Sequence, residues 1–398
     1  MSKPKIFIAM HYLEIGGAEA ALIGMLHAFD YEKVDVDLFI YSHRGEFMRF
    51  IPDRVNLLPE IKEYSMIESP MHTALLNGCI GVVAGRLMAK YKFRNYFRKN
   101  HPVDGNAIYG YIGKYVVPHL PNINHTIYDL AISFLTPHNI VLDKVNAKRK
   151  VCWIHTDYSK IDTDAELELP VWKAYDNIVS ISPATANAFC SIFPELRERL
   201  VEIENIAPVN LIREQAEQRN AQELSNSDFN ILSIGRFSYP KNFDNIPEIC
   251  SHLISITGMK NIRWYIIGFG GEETLIRKHI AEAGMEEHVI ILGKRSNPYP
   301  YISKCDLYIQ PSRYEGKSVT VREAQMLGKP VVITDYPTAK SQIEHMIDGV
   351  IVPMDNTGCA KGIAKVIADE KLRHSLSINT YQRDYSNRSE ISKIYSLI

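Results

Sequence analysis

The sequence has few cysteines and no pattern among them. Six are spread over 398 residues, at 79, 152, 190, 250, 305 and 359, and no Cys-x-x-Cys pair occurs. That argues against a zinc knuckle or a dithiol redox motif and fits buried free thiols in a reducing compartment. Net charge is nearly absent: 45 Lys and Arg against 46 Asp and Glu leave −1. A balanced chain has no global field for nucleic acid, so none is expected as a partner, and any charged ligand must meet a local patch. Long apolar runs are missing too. The longest stretch, residues 74–88, is broken by Asn77 and Arg86 and falls short of the roughly 20 residues a spanning helix needs. The opening MSKPKIFIAMHY has no apolar core leading to a small-residue cleavage site, so no signal peptide is expected. The chain reads as cytoplasmic. It has no short-period repeat and no low-complexity tract. With 46% apolar and 23% charged residues, it is a globular protein, not a disordered chain, a collagen or a coiled-coil rod. At roughly 150 residues per domain it holds about two or three.

Short β-branched runs supply the organisation. In the first half they fall at residues 5–10, 36–41, 129–134, 151–155 and 177–182, and in the second at 230–234, 263–267, 289–292, 306–309 and 331–334. Near-continuous apolar runs are what parallel strands covered on both faces look like. Helical patterns at 18–29, 185–192, 272–283 and 319–327 separate many of them. Two series of alternating strands and helices predict an α/β fold with two doubly wound parallel sheets. The polar segment 212–228 reads as a connection. The expected domains are 1–206, a linker at 207–228, a second domain at 229–375 and a helical tail at 376–398 that packs on the first domain.

Ligands of open α/β sheets sit beyond the carboxyl ends of the strands, so the loops there hold the candidates. After the run at 306–309 comes QPSRYEGKSVTVRE, with Glu315 and Glu323 eight positions apart. Gly316 admits close approach, and the amides of Lys317, Ser318 and Val319 at a helix N-terminus form an anion site. Two carboxylates beside an anion site suit a ligand that also carries a vicinal diol. A helix cap at Glu315 and a solvated Glu323 would produce the same letters. After the run at 230–234 comes Gly235, with Arg236 and Lys241 close behind. Two cations match the charge of a diphosphate, each charge-assisted bond being worth roughly 1.5–3 kcal/mol. Two surface cations in a loop are the plainer alternative. After the first run, Gly16-Gly17 opens a helix. It lacks the G-x-G-x-x-G pattern, which argues against a dehydrogenase.

Together these segments resemble the family-four retaining glycosyltransferases, with two facing Rossmann-like domains (the GT-B architecture). The resemblance covers nearly the whole chain and is most specific from residue 234 to 334. It implies transfer of a sugar from a nucleoside diphosphate, uridine being the expected base, to an acceptor hydroxyl on a lipid-linked or polysaccharide glycan. No cofactor beyond the donor substrate and no metal is implied. Arg236 and Lys241 would bind the diphosphate, Glu315 would face the donor sugar, and Glu323 would hold the ribose hydroxyls. Gly16 and Gly17 would approach the sugar and phosphate, and the backbone at Gly293-Lys294-Arg295 would meet the base. His155, which ends the run at 151–155, matches a histidine at the sugar, with Asp157 a weaker candidate. The chain departs from the family at Asn205-Ile206-Ala207-Pro208, and at Lys317-Ser318 where many members carry an aromatic or apolar residue. A nucleotide-sugar epimerase and a non-catalytic sugar-nucleotide scaffold are the alternative readings.

Two further patterns remain. Asp-x-Asp occurs at Asp35/Asp37 and Asp162/Asp164. The first alternates with valines as a strand's polar face and the second lies in a polar loop, so both read as structural. Residues 86–101 mix Arg86, Lys90, Lys92, Arg94, Arg98 and Lys99 with aromatic and apolar side chains and no acid. That fits peripheral docking at the inner face of a membrane, RNA stacking, or a solvated helix whose aromatics pack inward.

Overall fold

The KIFIAM run becomes β1 (Lys5–Met10), fully buried from Ile6 onward. The computed structural model of the chain describes residues 3–14, 16–102, 105–218, 221–315 and 318–398. It divides into two units, residues 1–208 with 387–398, and residues 209–386.

In the first unit β1 is followed by β2 (Asp35–Ile40), β3 (Asn56–Leu57), β4 (Ile127–Ser133), β5 (Asn146–Ile154), β6 (Asn177–Ser180) and β7 (Leu200–Glu202). Among the described residues they make one parallel sheet in the order β3-β2-β1-β4-β5-β6-β7. β5 begins at Asn146, five residues before the apolar run. Its polar first half pairs with β4 but lies outside the core, so only its second half is fully buried.

The second unit holds β8 (Phe229–Ile234), β9 (Ile262–Ile267), β10 (Val289–Gly293), β11 (Leu307–Gln310), β12 (Val331–Thr334) and β13 (Val350–Val352). Its parallel order is β10-β9-β8-β11-β12-β13. Read within the unit this is 3-2-1-4-5-6, the doubly wound Rossmann order. Strand order reverses between β8 and β11, and a crevice opens at such a switch point. Apolar clusters cover both faces of this sheet, one around Trp264 and Ile309, the other around Tyr308 and Ile333.

The expected linker needs correction. Val209–Ala216 is a helix of the second unit that buries Leu211 and Ile212, and Asn297 Nδ2 donates to the carbonyl of Gln215 at 3.0 Å. Of its polar residues Asn210 and Glu214 are exposed, whereas Gln215 is buried with Leu211 and Ile212. The tail also divides later than expected. The helix Glu370–Gln382 stays with the second unit, and only residues 387–398 belong to the first. There Tyr395 stacks near Phe29, its hydroxyl accepts from the amide of Asp30, and Glu390 accepts from the amide of Glu204. All six cysteines are buried and unpaired.

Candidate functional site

The loops after β8 and β11 meet at the switch point of the second sheet. Lys241 reaches across to Glu315, with Nζ to Oε1 at 2.5 Å. Both side chains are largely buried, 21% and 11% exposed. The aliphatic stem of Lys241 passes over Gly235, where a Cβ would stand 3.2 Å from Cδ and Cε, so the glycine makes room for the lysine. Glu315 is held from a second side. Ser312 Oγ donates to Oε1 at 2.7 Å, Gln310 Nε2 donates to Ser312 Oγ, and Tyr308 OH donates to Gln310 Oε1. This buried relay fixes the carboxylate before any ligand arrives. Arg236, one residue past Gly235, is exposed and makes no side-chain ion pair or hydrogen bond among the described residues. Two cations thus stand at one strand end, one anchored and one free.

Arg313 locks the two loops together. It makes paired bonds to Asp244 at 2.9 and 2.8 Å, donates to the carbonyl of Tyr239 and lies over the Tyr239 ring. Its neighbours in sequence carry no local signal for this clamp, because Asp244 is 69 positions away. The turn after β9 is also part of the site. Gly268 has φ +157°, and a Cβ there would stand 1.9 Å from the carbonyl oxygen of Gly235. That close approach lets the amide of Phe237 bond the carbonyl of Phe269.

Glu323 lies on the helix Val319–Met326, whose first turn touches the end of β8 through Thr320 Oγ1 and the carbonyl of Ile234. Burial pushes the Glu323 carboxyl up to about 7, against a hydrogen bond from Tyr299 OH at 2.9 Å that favours its charge. Gly316 and Lys317 lie outside the described residues. The N-terminus of this helix is not the open set of amides expected. Gln342 covers it: Oε1 accepts from the amide of Ser318 at 3.0 Å and Nε2 donates to the Ser318 carbonyl. Ser318 is buried, whereas the side chain of Val319 is 67% exposed. The Arg295 side chain is committed to Glu223 and Tyr301, so it supports the fold.

The remaining candidates lie in the first unit. Gly16 caps the helix Gly17–Ala28 in an extended conformation. The carboxylate of Glu19 sits where a Cβ of Gly16 would go, and burial and nearby Glu14 raise its pKa. A Cβ at Gly17 would meet nothing within 4 Å. His155 follows β5 and lines a cavity of about 340 Å³ with Trp153, Tyr158, Trp172, His138 and Glu168. Both ring nitrogens of His155 are buried without a hydrogen-bond partner, and burial holds its pKa down to about 3. It is therefore a neutral imidazole. Asp157 caps the turn Tyr158–Lys160 by accepting from Ser159, which explains it without a ligand. Asp164 caps the helix Ala165–Lys173 and accepts from Tyr111 OH, while Asp37 accepts from Asn56 and Tyr128. One carboxylate of each Asp-x-Asp pair thus has a structural use. Among the described residues no group of three or more His, Cys, Asp or Glu is placed to hold a metal ion.

Residues 214–383, nearly all of the second unit, match the family model "Glycosyl transferases group 1". The second unit is thus similar to group 1 glycosyl transferase domains. The chain is 26% identical over 181 residues to the N-acetylgalactosamine-N,N'-diacetylbacillosaminyl-diphospho-undecaprenol 4-alpha-N-acetylgalactosaminyltransferase of Campylobacter jejuni, covering 45% of this chain and 46% of that protein. It spans about half the length of the curated relatives it matches. Among solved structures it is similar to Anabaena HepE in complex with UDP and glucose, at 17% identity and a TM-score of 0.60 over 100% of both chains. It is also similar to a mutant of S. aureus TarM in complex with Fondaparinux, alpha-GlcNAc-glycerol and UDP, at 14% identity and a TM-score of 0.62 over 99% of both chains. The two parallel α/β units match the GT-B fold.

Proposed function

We propose that this protein is a retaining glycosyltransferase of the family-four type. It takes a sugar from a nucleoside diphosphate, with UDP as the base-bearing leaving group, and moves it to a hydroxyl of a lipid-linked or polysaccharide glycan. The observation that carries this reading is the Lys241–Glu315 pair at the switch point, with unpaired Arg236 beside it. Bound UDP in the HepE and TarM structures, and the glycan-building activity named for the Campylobacter relative, support the same donor class and acceptor type.

In the proposed reaction the anomeric C–O bond breaks through an oxocarbenium-like state and negative charge grows on the leaving diphosphate. Arg236 and Lys241 meet that charge from fixed positions, the usual largest electrostatic contribution to catalysis. Arg236 brings an unpaired charge and Lys241 one shared with Glu315, and we assign the step no metal and no further cofactor. The acceptor oxygen bonds the anomeric carbon on the face the diphosphate is leaving and gives its proton to the leaving phosphate, which keeps the anomeric configuration. Glu315, already held by Ser312 and Lys241, orients the sugar hydroxyls. Glu323 accepts from the ribose diol. Neutral His155 has a free N–H for a sugar hydroxyl.

A thermal-shift screen of nucleotide sugars tests the donor, because a ligand that binds only the folded state raises Tm. NMR of the product anomer tests retention. Stabilisation by none of the nucleotide sugars, or an inverted product, would overturn the respective claim.

A further inference from the structure

The helix Ile80–Asn100 turns one side inward, burying Val82, Gly85 and Ala89. Gly85 is required there, since a Cβ would stand 2.4 Å from the carbonyl oxygen of Tyr115. Phe93 and Tyr96 pack inward on Tyr111, and Arg86 is spent on the carbonyls of Met66 and Ser69. The opposite side is another matter. Ile80, Leu87 and Tyr91 recur at the seven- and four-residue steps of one helical stripe, and they are 68%, 55% and 60% exposed. Met88 lies beside them, and Leu75 and Leu76 of the preceding helix Met71–Leu76 are also exposed. The stripe runs on into Arg94 and Arg98, with Lys90, Lys92 and Lys99 on its flanks, and the helix contains no acid. Arg94, Arg98 and Lys99 have no acidic partner among the described residues.

We propose that this face docks on an anionic lipid bilayer, lying in the interface without crossing it. No described helix is long and apolar enough to cross. Its chemistry selects the occupant. Large exposed apolar patches mark interaction surfaces. An uninterrupted set of cations calls for a negatively charged partner. A second copy docked about a two-fold axis would set those cations against themselves. RNA would ask for stacking rings, but most of the exposed apolar side chains here are aliphatic and suit acyl chains. The proposal does not rest on the donor chemistry, because every residue it uses lies outside that site.

Sedimentation of the whole protein with phosphatidylcholine vesicles, with and without phosphatidylglycerol, tests it. The protein should pellet with the anionic vesicles and much less with the neutral ones. Arg94→Gln/Arg98→Gln should weaken partitioning roughly 25-fold, about fivefold per cation. Ile80→Ser/Leu87→Ser/Tyr91→Ser should abolish it. Both variants change exposed side chains, so unchanged Tm and an unchanged thermal shift with nucleotide sugar will separate lost docking from lost folding. Failure of the parent to pellet with anionic vesicles overturns the proposal. So does serine-variant binding equal to the parent's, or binding to single-stranded RNA in place of vesicles.

Discussion

Lys241 Nζ and Glu315 Oε1 lie 2.5 Å apart although 74 positions separate them in the chain. One follows β8 and the other β11, and those strands are neighbours only because the sheet reverses its winding between them. In the proposed reaction this pair is where the diphosphate and the sugar meet.

Lys241→Met keeps the stem over Gly235 and removes the charge, and Arg236→Ala removes the exposed cation. Each should lower kcat/KM by about tenfold to about a hundredfold, the worth of one charge-assisted hydrogen bond. Circular dichroism should stay at the parent's, since Arg236 is exposed and Glu315 keeps Ser312. Parent-like kcat/KM in both variants would remove the diphosphate assignment.

Glu323 predicts a pH dependence of defined sign. Its folded pKa of about 7 stands above the ordinary 4.5. Between those values the folded protein keeps a proton that the unfolded chain has released, so stability falls as pH rises and levels off above 7. Glu323→Gln should flatten that slope in denaturant titrations. Donor affinity should move the other way, rising through pH 7 as the carboxylate forms and can accept from both diol hydroxyls. A pH-independent Kd would count against the ribose role.

Gln342→Leu should destabilise the second unit by about 1–3 kcal/mol, because it strips both partners from the buried backbone of Ser318. Urea midpoints will show it. Donor affinity should fall as well, since the first turn of the Glu323 helix loses its anchor.

Gly268→Ala should cost more than an ordinary glycine replacement. The new Cβ would meet the Gly235 carbonyl oxygen at 1.9 Å from a backbone at φ +157°, a strain of about 1–3 kcal/mol before the collision is counted. A fall in Tm with loss of nucleotide-sugar stabilisation is expected, and a parent-like Tm would contradict the close packing.

Chelation gives the last test. With Arg236 and Lys241 meeting the diphosphate, EDTA should leave the transfer rate unchanged, and loss restored by a divalent ion would overturn the metal-free step.

Much of this site is legible along the chain, because βα loops put their residues directly after buried runs. Gly235, Arg236 and Lys241 follow one such run, and Glu315 and Glu323 another. The residues that escape notice act across the sheet. Gln342 sits in an unremarkable polar stretch, Arg313 finds Asp244 from another loop, and Gly268 is needed only because the Gly235 carbonyl passes within reach. The edge strands β3 and β13 have two and three residues, too few for periodicity to register. The stretch 86–101 splits for the same reason: its letters show charge and rings, but only packing decides that Phe93 and Tyr96 face inward while Leu87 and Tyr91 do not.

Alternation of apolar runs with helical patterns was enough, by itself, to determine two parallel α/β units, since burial on both faces demands such runs. It also placed the cations and carboxylates at strand ends. Pairing was left to the tertiary structure. Which carboxylate takes the lysine, which amide is already capped and which arginine is left free depend on strand order and on contacts between distant residues, and local spacing carries no information about either.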